Sequence, residues 1–321
     1  MASPHSFSSA TVCSTPVAFA AVVFAFVLAT ATPSSAQQPA PAAAQAPRNP
    51  FNLTKVEQAF LNQVLLKWEA ESAKITTFSC PFTRHVYNAF SPAQHIAFSI
   101  EEGKVSYHKP DKGSFKIETI KQWQAAPITP GQPAPNPPRG QHAPVDPKRV
   151  VGDHWVSDGK YIYEYRPHAS ELSVTPIPPE MQGEQIVNGP FPFLFGAKAA
   201  DLKQRYWMRL HEDPQNPNPE VLHLVALPKT RQDAANYRAV ELMLDRRTLL
   251  PSAMQVHRPS LGDRAGGREV FDFDLTKVSV NARLDRLWGT LFQSPRTPWG
   301  WKRVVNGPQA QQAAAPGNLR Q

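Results

Sequence analysis

The 321-residue chain predicts a mainly β, α+β protein whose antiparallel strands bury one face. Three observations carry that class. Apolar residues alternate with a period of two, as in Phe78, Cys80 and Phe82, then Ile96, Phe98 and Ile100, then Phe115 and Ile117. Turn residues punctuate those runs, most clearly Asp158-Gly159, which joins the strand starting at Trp155 to one carrying Tyr161, Tyr163 and Tyr165 on one side. Helical spacing stands out before the first of these strands, where Phe60, Leu61, Val64, Leu65 and Trp68 follow a Thr54/Glu57 capping box.

Taken in order, the chain opens with an apolar run, Val17–Ala29, followed by Ser34-Ser35-Ala36. That pattern fits a signal peptide cleaved after Ala36 and an exported protein, periplasmic or elsewhere in a cell envelope. An uncleaved anchor is the alternative, although the run is shorter than the ~20 residues that span hydrocarbon. Residues 1–16 carry no Lys or Arg, a departure from the usual signal. Residues 37–50 and 306–321 are rich in Pro, Ala and Gln and are expected to be disordered. Between them the expected domain is 51–283, with an amphipathic helix over about Thr54 to Lys74 and a Pro-rich surface loop at 125–147.

After the tyrosine hairpin, further strands are expected near Tyr206–His211, Val221–Leu227, Arg238–Asp245, Ser252–Arg258 and Glu269–Val280, roughly ten in all. Pro190–Gly196 is dense in aromatics, with Phe191, Phe193 and Phe195, but is punctuated by Pro190, Pro192 and Gly196, so it suits a short apolar lid or plug and no ordinary long helix or central strand. The Trp-containing extension 284–305 is expected to pack across the barrel. A membrane-interface or partner-docking tail is the alternative, given Trp288, Trp299 and Trp301 near Lys302 and Arg303.

Composition narrows the chemistry. The net charge of +8 is scattered, without the cluster of cations and stacking aromatics that a nucleic-acid groove needs. Cys80 is the only cysteine beyond residue 36, so a mature chain has no internal disulfide, and its place between Phe78 and Phe82 suits an inert core thiol. Asp272 and Asp274 share a strand face and admit an acid/base pair or a calcium site, yet a solvated outer face explains them as well. No His-Glu zinc motif, Gly-x-Ser-x-Gly elbow or phosphate-binding loop occurs. The expectation is therefore no catalytic residue, no metal and no cofactor.

Several pieces occur in an order that resembles a known family. The helix precedes Phe78–Phe82, then Glu102-Gly103-Lys104-Val105-Ser106-Tyr107-His108-Lys109-Pro110, Phe115-Lys116-Ile117 and Val156-Ser157-Asp158-Gly159-Lys160. Pro190–Gly196, Leu227-Pro228-Lys229 and Leu244-Asp245-Arg246 follow. Over about residues 52–282 the chain resembles the periplasmic outer-membrane lipoprotein carriers, the LolA-like proteins. The resemblance implies a strongly curved antiparallel sheet forming an incomplete β-barrel, covered by the N-terminal helix and a short lid.

It also implies a carrier or receptor that shelters acyl chains of a lipid or lipidated protein, with membrane-bound donor and acceptor proteins, acting as a monomer. The lining would comprise Trp68, Phe78, Phe82, Phe98, Ile100, Phe115, Ile117, Tyr161, Tyr163, Tyr165, Phe191, Phe193 and Phe195. Lys109 matches the basic residue that controls the lid, an Arg in the family, and lacks its planar fork. The alternatives are a non-catalytic envelope sensor and a structural interaction protein on the same fold.

Overall fold

A computed structural model describes residues 49–127, 135–146, 152–179, 182, 193, 198–211, 218–260, 266–282 and 291–307. The signal segment, most of the linker to residue 48, Phe191, Phe195, residues 284–290 with Trp288, and the tail from 308 lie outside the described residues.

Helix α1, Lys55–Ala73, begins at the expected capping box: the Thr54 hydroxyl accepts from the Glu57 amide, and the Glu57 carboxylate accepts from the Thr54 amide at 2.7 Å. Leu61, Val64, Leu65 and Trp68 form its buried stripe. Phe60, counted with them from spacing, is instead exposed, because it lies at the margin of that stripe.

The strands are β1 Thr77–Tyr87, β2 Ser99–His108, β3 Lys112–Ala125, β4 Gly140–Pro144, β5 His154–Ser157, β6 Tyr161–Arg166 and β7 Glu171–Pro176. After α2, Ala199–Arg205, come β8 Tyr206–His211 and β9 Val221–Pro228. Then α3, Arg231–Asn236, precedes β10 Ala239–Asp245, β11 Pro251–His257, β12 Arg268–Phe273, β13 Ser279–Val280 and β14 Lys302–Val305. Among the described residues these fourteen strands form one sheet in the order β14-β7-β6-β5-β3-β2-β1-β12-β11-β10-β9-β8, with β13 on β1 and β4 on β3. Every pairing is antiparallel except β14 on β7, and the end strands β14 and β8 do not meet, so the sheet is an unclosed barrel.

Two boundaries differ from the sequence reading. The Pro-rich stretch 125–147 contains β4, which folds back on the end of β3, with the His142 ring 5.3 Å from that of Trp123. The strand expected over Glu269–Val280 is split by a turn in which the Asp274 carboxylate accepts from the Thr276 amide and pairs with Lys277. Asp274 has therefore left the strand, and Asp272 sits exposed beside His85.

Ring distances measure the curvature. Phe115 on β3 and Phe271 on β12 are three strand steps apart, about 14 Å on a flat sheet. Their centroids lie 6.4 Å apart, with Phe82 of β1 between them at 5.0 and 5.7 Å. The sheet bends toward that face. Gly103 of β2 permits it: a Cβ there would press into the Lys116 carbonyl oxygen and stand 2.8 Å from Cζ of Phe82, so the missing side chain lets the Phe82 ring cross β2 and stack on Phe115.

Candidate functional site

The concave face is built from alternate residues. Phe78, Cys80, Phe82 and Arg84 of β1 point inward, and cross-strand register places Gly103 and Glu101 of β2 and Phe273 and Phe271 of β12 beside the last two. Val105, Phe115 and Ile117, then Met254, Val256, Leu242, Val240, Leu224 and Met208, continue the same buried cluster around the curve. Its roof is the α1 stripe, with Leu202 of α2 and Phe193, whose ring lies 4.9 Å from that of Tyr206. Phe193 is thus inserted as a plug. Trp68, Phe78, Phe82, Phe115, Ile117 and Phe193 are brought together in this interior.

The remaining described members of the expected lining are elsewhere. From Ser99 to Val105 the buried residues of β2 are Ser99, Glu101, Gly103 and Val105, so Phe98 and Ile100 take the opposite parity and do not line the concave face. Phe98 packs instead on exposed Phe90, 5.9 Å between centroids. The apolar alternation was real, but the inward positions at this end are polar because they serve a buried ion cluster. The tyrosines are also on the convex face. Tyr163 pairs in register with Val156 and Val174 in a separate cluster with Leu172, Tyr165 packs against that cluster, and Tyr161 is exposed.

The 291–307 part of the extension covers this convex cluster. Trp301 lies 6.3 Å from Tyr165, and the Arg303 guanidinium sits 5.4 Å above the Tyr163 ring. The Asp158-Gly159 turn anchors the hairpin: Asp158 accepts the Lys160 and Tyr161 amides and, at 2.8 Å, the Tyr163 hydroxyl, while Gly159 takes φ +92°.

One group escaped the sequence reading. Arg84 follows Phe82 on the inward face, and its Nε donates to Glu101 Oε2 at 2.7 Å while Nη2 meets Asp153 Oδ2 at 2.8 Å. Glu269 lies 3.7 Å from Nη1 and accepts from Arg258 at 2.9 Å; Ser99 donates to the other Glu101 oxygen. The guanidinium also stands 5.9 Å from both the Phe115 and Phe271 centroids. Burial alone would favour neutral Arg84, but the carboxylates of Glu101, Asp153 and Glu269 outweigh it and hold the group charged, above its ordinary range. Period-two counting carried on from Phe78, Cys80 and Phe82 reaches Arg84 on the inward face, and that was the available signal.

Lys109 sits where α1 ends. Its amide donates to the Thr76 carbonyl at 2.8 Å, and its Nζ reaches the carbonyl of Ala73, the last residue of the helix, at 3.4 Å. A cation at a helix C-terminus is favourable with the macrodipole.

Burial, helped by the nearby Asp274 charge, pushes the Cys80 thiol up to about 12, where it is protonated at neutral pH. Among the described residues no group of three or more His, Cys, Asp or Glu side chains is arranged to hold a metal ion. No helix among them is long and apolar enough to cross a membrane.

No family model and no curated protein matches the chain. It is similar in fold outline to solved structures. These include a LolA superfamily protein from Nitrosomonas europaea (10% identity, 73% of this chain and 97% of that one, TM-score 0.31). A putative outer membrane lipoprotein-sorting protein domain from Vibrio parahaemolyticus is another (12%, 72% and 98%, 0.30). A third is the MucA/MucB complex of Pseudomonas aeruginosa (15%, 73% and 61%, 0.29).

Proposed function

We propose that the chain is an exported, non-catalytic carrier or receptor that shelters acyl chains of a lipid or lipidated protein on its concave face. The single observation that supports this reading is one continuous apolar surface, spread over strands from β3 round to β8, whose cover includes one amphipathic helix and the Phe193 plug. Such a cover exchanges its own apolar side chains for those of a ligand.

Magnitudes decide what ligand would suffice. Exposing Leu61, Val64, Leu65 and Trp68 by lifting α1 costs about 1.5–3 kcal/mol each, or about 6–12 kcal/mol in total. The fourteen methylenes and terminal methyl of a sixteen-carbon acyl chain return about 12 kcal/mol at ~0.8 kcal/mol per carbon taken from water, before the cost of ordering the chain. One chain roughly balances the opening and two exceed it, which favours a diacyl or triacyl ligand over a free fatty acid. The packed interior also supports a second reading, a structural envelope protein whose hollow is permanently filled by its own roof.

Native mass spectrometry of protein purified without detergent separates the two. The carrier reading expects lipid-mass adducts that pass to acceptor vesicles; a bare chain that takes up no diacyl lipid on mixing supports the filled-core reading. Lys109→Leu removes the tie to Ala73 and is expected to speed transfer several-fold while barely altering the unfolding midpoint. Equal transfer rates in variant and parent would remove the gating role of Lys109.

A further inference from the structure

We infer that the turn Pro298–Trp301 on the convex side of the sheet is a docking element for an anionic lipid surface. Trp299 is 101% exposed, the extreme among the exposed large hydrophobic residues described. It is held there by structure. The Trp301 amide donates to the Pro298 carbonyl at 3.0 Å and Gly300 takes φ +77°, closing a four-residue turn with Trp299 at its apex. The turn is tied down on its C-terminal side by Trp301 against Tyr165 and by β14 paired along β7. Arg303 Nη1 donates to the Pro295 carbonyl at 3.3 Å and so fixes the segment that leads into the turn. A fully solvated indole on a fastened loop is costly to display and suits insertion at the headgroup level of a membrane.

Charge points to the partner. Residues 291–307 contain Arg296, Lys302 and Arg303 and no Asp or Glu. Arg296 and Lys302 are exposed. Across the pairing of β14 with β7, Lys302 is in register with Glu171, whose carboxylate meets Arg166 at 3.5 Å; Glu164 holds the same arginine at 2.7 Å. Cations beside an interfacial tryptophan are attracted to an anionic leaflet, and the net charge of +8 adds long-range attraction. The turn is anchored from the convex cluster, on the sheet face opposite α1, so a chain docked through it keeps its roof free. This inference does not depend on what the concave face holds.

The test is co-sedimentation of the full chain with phosphatidylcholine vesicles and with mixed phosphatidylcholine–phosphatidylglycerol vesicles at low ionic strength. The chain is expected to pellet with the mixed vesicles only, and to be released by salt. Trp299→Ala is expected to weaken partitioning about tenfold and Lys302→Gln about fivefold, with unchanged urea midpoints because both side chains are exposed. Failure to pellet with the mixed vesicles overturns the assignment. So does undiminished pelleting of Trp299→Ala, or self-association through this turn in place of vesicle binding.

Discussion

Replacing Arg84 by Met tests how the polar end of the concave face is held. The substitution keeps most of the apolar stem and removes the guanidinium, leaving Glu101 and Glu269, with side chains only 10% and 16% exposed, without their shared cation. Removing one partner of a buried ion pair costs about 3–5 kcal/mol, because the remaining charge stays desolvated. Loss of the contacts over Phe115 and Phe271 adds up to about 1 kcal/mol. Against a typical stability of about 5–15 kcal/mol this is a large fraction, and at a slope near ~2 kcal/mol per molar urea the midpoint falls by about 1.5–3 M. Equilibrium urea unfolding followed by circular dichroism reads it. Glu269 keeps Arg258 at 2.9 Å, so the stranded charge is that of Glu101, and adding Glu101→Gln to Arg84→Met should recover about 1–3 kcal/mol. Asp153 is 59% exposed, so Asp153→Asn alone should cost less than about 1 kcal/mol. An Arg84→Met midpoint within error of the parent, or a double variant no more stable than Arg84→Met, would refute the reasoning.

Three further outcomes follow from the geometry. Gly103→Ala places a methyl against the Lys116 carbonyl and the Phe82 ring, so it should destabilise by about 1–3 kcal/mol; equal stability in urea would mean that the bend does not depend on this gap. His154, stacked 4.2 Å from Tyr165, is pushed down to about 4 by burial and then by the Lys116 charge. Below its ordinary 6.5 the unfolded chain takes up a proton that the folded chain refuses, so stability should fall as pH drops from about 6.5 to about 4. His154→Phe should flatten that part of the profile, and an unchanged slope would contradict the assignment. Cys80 should resist Ellman's reagent at pH 8 in the folded chain and react on unfolding in urea; fast labelling of native protein would disprove its burial.

Much of the interior was legible because its signals are local. Thr54 and Glu57 announced α1, Asp158-Gly159 announced the tyrosine hairpin, and Phe78, Cys80 and Phe82 announced the buried side of β1. Period two groups residues onto a shared face. It does not say which of the two faces is concave, and that is where Tyr161, Tyr163 and Tyr165 were misplaced. Their side was settled by register with Val156 and by the cover that 291–307 supplies from more than a hundred residues away.

Phe98 and Ile100 were misplaced for another reason. Hydrophobic alternation assumes that the buried side is the apolar one, whereas β2 turns Ser99 and Glu101 inward to meet Arg84. The bulge where Glu102 and Gly103 pair with Thr119 and Ile117 then shifts the inward parity of β3 from Phe115 and Ile117 to Ile120.

By itself the amino-acid order determined the antiparallel β class, the capped helix and the inert thiol, since each depends on residues within one turn or one strand. Which face closes, where the buried ions gather and which tryptophan stands in solvent were decided only by tertiary structure. Those outcomes depend on strand register and curvature, which bring residues far apart in sequence into contact and have no local signature.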